Sequence, residues 1–593
     1  MLFVSRPLGL AFGLLVTLTL NARGAGPADG LFRLVPPDAA AVLAIEDLRG
    51  RAREFLESPV AQRFERLPAF QAWVASGRLA HLHQAMRKVE HALGEQVDTI
   101  RDELLGDAVV LALRVPHNGR PEDASGMILV HVSNRALLDR LIHGINDAQR
   151  RSGELTRLAE STRAGASYWS REFRPASRKP TEYFTVLDDN TFAWSNAEDL
   201  IQGVIDRRAG QVRSLADIAV FQQVRRRLPE HAVASLFVAP RFLAQVLAAM
   251  ARPQKPANDR AAAVIGRYLT ALDCVGAALQ WRDGIVVDTE EVFDPAKLDP
   301  WVRHWAARSG EIGPGLRRAP ASALAMASVH VDWNAVFDVI RTLAPERQQP
   351  RIENLIVALD GILLGRDIQA EILPHLGPGM LAYLEAGDGE REDDTNPRAA
   401  APALAKVIAV GLGNASGLAA AVENALRTYL AFYALDTQHN RGQLQLETRE
   451  TGGRKVTTLH PTTPLAFAVD ADRLVLGSSA AVVSRAITFA ANPTEGELDR
   501  LRVARFPLAS SFACVDLVRL QEFVLNHRAR LVARLAPGQG PGRRVEEAEH
   551  DLDDATALIS LFRHAYLTSA FEPDASAAHR SLGLIPREAE AVP

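Results

Sequence analysis

The chain has 593 residues, 47% of them hydrophobic and 23% charged, a balance that excludes a disordered or collagen-like polypeptide and supplies apolar surface for two or more cores. A net charge of -4 gives no broad attraction to nucleic acid or to an anionic lipid surface. The arginines that carry nearly all the positive charge are scattered, as in a solvated surface and unlike a phosphate-binding patch.

At the start of the chain, Arg6 precedes an apolar run from Leu8 to Leu20, and Ala22 and Gly24 place small residues ahead of Ala25. This pattern predicts a secretory signal over residues 1–24. The run is shorter than the roughly 20 apolar residues needed to cross a bilayer. No cysteine lies nearby to carry a lipid. The expectation is an exported protein, periplasmic or extracellular, with no stable membrane span after cleavage.

The remaining chain reads as two successive copies. Six landmarks between Pro36 and Asp283 recur in the same order between Pro320 and Asp574, at an offset of roughly 280 residues. Each copy opens with a strand running into a helix, at Asp47-Leu48 and Asp332-Trp333. A second such junction falls at Ala239-Pro240 and at Asp516-Leu517. Asp47, Asp332 and Asp516 fit helix caps, and Pro240 fits the first helical position. Apolar residues from Leu67 to Leu93, among them Phe70, Trp73 and Val74, have helical spacing.

A hairpin follows, with strands near 107–115 and 126–132 in the first copy and near 378–386 and 404–412 in the second. Next come helices over 135–150 and 418–432, entered through Asn134 and Asn414, and then strands near 168–169, 183–187 and 191–194. Ser195-Asn196-Ala197-Glu198 has the spacing of a capping box. A hairpin through Asp283-Gly284 closes the first copy. Hairpins interleaved with helices predict an α+β fold: two tandem similar domains, 25–310 and 311–593, each of mainly antiparallel strands covered on one face by helices.

Little catalytic chemistry is legible. Gly411-Leu412-Gly413-Asn414 lies between strand and helix, but its glycine spacing is wrong for a dinucleotide loop, and the other copy reads His131-Val132-Ser133-Asn134. No cofactor is expected. His81, His83 and His91 share a predicted helix without the i, i+4 spacing of a zinc pair, and the acidic stretch from Asp388 to Asn396 departs from a calcium loop, so no metal is expected either. Cys274 and Cys514 fall in strand interiors at non-equivalent places, which predicts two buried unpaired thiols.

The Pro-x-x-Ala strand ending in Asp-Leu, Leu-Leu-Gly-Asp-Ala-Val-Val-Leu-Ala-Leu at 104–113 and Leu-Asp-Asp-Asn-Thr-Phe-Ala-Trp-Ser at 187–195 resemble a group of exported bacterial proteins of unknown function. The resemblance implies an extracytoplasmic location and a repeated α+β build, and it transfers no catalytic residue. The functional expectation is a non-catalytic binding or scaffold protein of the cell envelope, with Trp301 and Trp305 as possible partner or inter-domain contacts. Its partner would be an envelope protein or polymer. The alternative is an envelope hydrolase using Asp188, Asp189 or Asp470.

Overall fold

A computed structural model of the protein describes residues 27–587 apart from 76–89, 91–93, 117–122, 188–189, 231, 241, 244–258, 282–283, 311, 313–315, 345–347, 363–364, 388–403, 414–417, 436–444, 452, 461–464, 471, 495, 506–508 and 536–544. The export signal, His81, His83, His91, Asp188, Asp189, Asn414 and the acidic stretch 388–396 lie outside the described residues. The fold is α+β, and every strand pair with an assigned register is antiparallel.

The chain divides into two compact units: residues up to 252 together with 272–292, and residues 253–271 together with 293–587. The tandem boundary expected at 310 therefore differs from the packing. The helix Asp259–Ala271 packs with Pro295–Lys297 and with the helix Trp333–Leu343, all of them in the second unit.

The first unit contains β1 (Ala41–Glu46), β2 (Ala108–Arg114), β3 (Ser125–His131), β4 (Leu155–Arg163), β5 (Ala166–Phe173), β6 (Glu182–Val186), β7 (Thr191–Ser195), β8 (Ala234–Val238), β9 (Leu272–Trp281) and β10 (Ile285–Phe293). Their order across the sheet is β4, β5, β6, β7, β3, β2, β1, β8, β9, β10. Helices cover both faces, where one covered face was expected. The reason is in β2, whose Ala108-Val109-Val110-Leu111 is apolar without alternation and so presents apolar side chains to both sides. On one side Val110 and Ala112 join Phe32, Leu200, Ile201, Phe221 and Val224 in the main core. On the other side Val109 and Val130 pack against Leu137, Leu138 and Leu141 of the helix Arg135–Arg151.

The second unit contains β11 (Ala323–Val329), β12 (Leu376–Ala386), β13 (Leu404–Leu412), β14 (Gln445–Thr451), β15 (Arg454–His460), β16 (Leu465–Val469), β17 (Arg473–Gly477), β18 (Ser511–Asp516), β19 (Phe562–Phe571) and β20 (Ala577–Pro586). Their order is β14, β15, β16, β17, β13, β12, β11, β18, β19, β20, strand for strand that of the first unit.

The strand-to-helix junctions are capped as their sequences predict. Asp332 Oδ1 accepts from the Asn334 and Ala335 amides at 3.0 and 3.1 Å, and Asp516 Oδ1 from the Arg519 amide at 3.0 Å. Asp47 caps Gly50 at 3.1 Å from a left-handed backbone with φ of 51°. The Phe242 and Leu243 amides reach the Ala239 carbonyl, which leaves Pro240 where no amide is needed. Asn134 caps Leu137 at 3.0 Å.

The capping box at Ser195 does not form. Ser195 ends β7, its hydroxyl donates to the Gly126 carbonyl at 2.8 Å, and Ala197 becomes the cap residue of the helix Glu198–Arg208. The tie to β3 holds the serine in the sheet, too far back to reach the third amide of the helix.

Candidate functional site

In the first unit a hollow of about 290 Å³ lies between the helix Arg135–Arg151 and the sheet face formed by β3, β5, β6 and β7. Strand register builds its floor. Ile128 on β3 stands opposite Trp194 on β7, Trp194 opposite Phe184 on β6, and Phe184 opposite Trp169 on β5. Trp169 and Phe184 stack at 5.3 Å with 17° between their planes. Phe192, two residues before Trp194, extends the same face. Helical spacing builds the roof, because Ile142, Ile145 and Asn146 are one turn apart on one side of the helix. Ile145, 36% exposed, stands at the rim.

Two polar features interrupt these apolar walls. Arg171 on β5 pairs across the register with Glu182 on β6, with 2.6 Å between guanidinium and carboxylate. The same guanidinium also donates to the Gln149 side chain of the covering helix and lies 5.3 Å from the Phe173 ring centre. Burial pushes the Arg171 pKa below its ordinary value, against the opposing pull of Glu182. Arg171 thus ties both strands to the helix, through Glu182 and Gln149, and its ion pair leaves little net charge at the hollow. Asn146 is the second feature. It is only 4% exposed and it lines the hollow, and among the described residues its amide has no hydrogen-bond partner.

None of these residues stands out in the sequence as a motif. Asn146 had a signal, since it interrupts the apolar series Leu138, Leu141, Ile142, Ile145 on one helical face. Arg171 and Glu182 are eleven positions apart, and only the strand register makes them neighbours.

In the second unit, Trp301 and Trp305 both lie on the helix Pro300–Ala307. Trp301 walls an apolar hollow of about 220 Å³ with Val264, Ile265 and Tyr268, and its buried Nε1 has no hydrogen-bond partner among the described residues. Trp305 meets His330 edge to face at 6.0 Å. The same helix brings His304 Nε2 to 2.9 Å from Asp332 Oδ2, and the Arg308 guanidinium lies 3.7 Å from the same oxygen. Asp470 turns back onto the Arg473 carbonyl through its amide and pairs with Arg454 at 2.9 Å.

Glu497, Asp516 and His564 bring ligand-type atoms within 4.8 Å of one another. Their carboxylates already face arginine, Glu497 with Arg563 at 2.6 Å and Asp516 with Arg519 at 3.3 Å, so a cation would compete with two guanidinium groups. A further hollow of about 410 Å³ is lined by Ser322, Glu385, Arg485, Arg519, Glu522 and His527, with both signs of charge. Both cysteines are buried and unpaired, and burial pushes the thiols up to about 11 for Cys274 and about 12 for Cys514.

Neither a family model nor a curated protein matches the chain. Two solved structures are weakly similar. Crystal form III of TP0453 is 12% identical, with 48% of this chain and 87% of that one covered and a TM-score of 0.24. Crystal form IV of TP0453 is 11% identical, with 44% and 79% covered and a TM-score of 0.22. Likeness at this level carries nothing over to the present chain.

Proposed function

We propose that the protein is a non-catalytic binding protein of the bacterial cell envelope, and that the hollow beneath the helix Arg135–Arg151 is its ligand site. One observation carries this reading: a concave apolar surface of small-molecule size is lined by Asn146, a residue only 4% exposed whose amide has no hydrogen-bond partner among the described residues. Ligand sites combine mainly apolar walls with a few placed polar groups in this way. Of the carboxylates named for the hydrolase alternative, Asp470 pairs with Arg454, and Asp188 and Asp189 lie outside the described residues.

We also propose export through the signal over residues 1–24, and descent of the two units from one duplicated domain. The shared strand order and the six landmarks support the duplication. A crystal structure with Asp188 and Asp470 in unrelated elements would refute it, and recovery of Met1 from the membrane fraction would refute export.

The binding reading is tested with an environment-sensitive apolar dye added to the mature protein. Bound fluorescence is expected in the wild type and is expected to disappear in Ile145→Trp, which adds bulk at the 36% exposed rim position. Undiminished binding by the folded variant would overturn the site. Turnover of a peptidase, esterase, glycosidase or phosphatase substrate, abolished by a single substitution, would overturn the non-catalytic reading.

A further inference from the structure

We infer, on the reading that the first unit's hollow is a ligand site, that its ligand is a small uncharged amphiphile whose hydrogen-bonding end meets Asn146. The argument begins with charge. Arg171 is the cation at the wall, and it is already committed to the Glu182 carboxylate at 2.6 Å and to Gln149. An anionic ligand would have to displace Glu182 or lie beside it in surroundings of low dielectric, and a cationic one would find Glu182 already neutralised. Either ion would give up its hydration for a wall of Ile128, Phe184, Phe192 and Trp194.

A neutral group meets no such penalty. The Asn146 amide both donates and accepts, so a carboxamide, alcohol or phenol can satisfy it while the rest of the ligand fills the apolar space. Size narrows the class further. About 290 Å³ is at the low end for small-molecule sites and is too little for a two-chain lipid. Phe184, Phe192 and Trp194 line one wall with aromatic rings, which suits an aromatic body.

The test is calorimetric titration of the mature protein with four probes that share one body: para-butylbenzamide, para-butylbenzoate, para-butylbenzylamine and butylbenzene. The benzamide is expected to bind at least tenfold more tightly than the benzoate or the benzylammonium at neutral pH. In Asn146→Leu, which keeps the number and branching of side-chain heavy atoms, benzamide affinity should fall roughly tenfold while butylbenzene binds as well as before or better. If Asn146→Leu fails to fold, Asn146→Ala provides the same comparison. Absence of binding by all four probes would refute the site itself. Binding of all four with equal affinity, or tightest binding of the benzoate, would refute the ligand class and leave the site standing. Benzamide affinity unchanged in both variants would refute the contact with Asn146.

Discussion

The two units place the same strands around the covering helix and fill the space differently. Register makes Phe184, Phe192 and Trp194 of the first unit correspond to Phe467, Leu474 and Leu476 of the second. Arg171 opposite Glu182 corresponds to Leu459 opposite Leu465. In the second unit Phe467 is 1% exposed and packs with Leu426 of the helix Leu418–Leu435 and with Val469, Leu474 and Leu476. An apolar filling therefore suffices for this fold. The ion pair and Asn146 are features of the first unit that the architecture does not demand, which is the strongest reason to look for a role there.

The largest expected effect comes from breaking the ion pair on one side. Glu182→Leu leaves Arg171 buried without its countercharge and should cost about 3–5 kcal/mol, measured by urea unfolding. The double variant Arg171→Leu with Glu182→Leu installs the second unit's pair and should recover to within about 1 kcal/mol of the wild type or exceed it. A double variant as unstable as the single one would show that the two units are not interchangeable here.

Next in size, Phe467→Ala should cost about 3–5 kcal/mol, the range for emptying a packed site. Phe184→Ala, next to an existing hollow, should cost less in the same assay. Equal losses would mean that the hollow is closed in solution.

The caps give a smaller contrast. Asp332→Ala gives up two amide bonds and should cost about 1–2 kcal/mol, leaving dye binding in the first unit unchanged. Asp47→Gly should cost only a few tenths of a kcal/mol, because glycine accepts the left-handed φ of 51° that aspartate must tolerate. Loss of dye binding in Asp332→Ala with unchanged melting would assign that carboxylate a functional role.

The smallest effect concerns the thiols. Desolvation raises both pKa values, so in the folded state they hold their protons well above the ordinary value of 9.0. Their burial favours the folded state fully below pH 9, and that contribution is lost as pH rises from there toward about 12. Neither thiol should react with a maleimide at neutral pH before unfolding. Rapid labelling of one alone would show that its surroundings open.

Much of this architecture was legible in residue order. Unbroken apolar runs marked β2 and β3, and helical spacing marked Arg135–Arg151 to within one residue of its end. The junction aspartates were readable because capping is a local interaction over two or three residues. β4 was not readable: Leu155–Arg163 is paired with β5 alone among the described residues, mostly exposed, and thus free of the apolar alternation that reveals a strand. The site was hidden for a related reason. Its polar members come from three elements, and their meeting depends on register and on a helix laid across the sheet, neither of which leaves a spacing in sequence. Trp301 and Trp305 drew attention as large aromatics in a connecting stretch, and both lie within the second unit.

The helix Asp259–Ala271 belongs with the second unit although β9 and β10, which follow it, return to the first. No single cut of the coding sequence therefore yields either unit whole. A fragment ending near residue 310 would carry this helix without the helix Trp333–Leu343 and Arg580, whose guanidinium lies 3.2 Å from the Tyr268 hydroxyl. During synthesis the helix leaves the ribosome long before those partners. The face of the helix that meets Trp333–Leu343 must wait uncovered until that helix arrives, an interval in which a chaperone would decide how much of the chain matures.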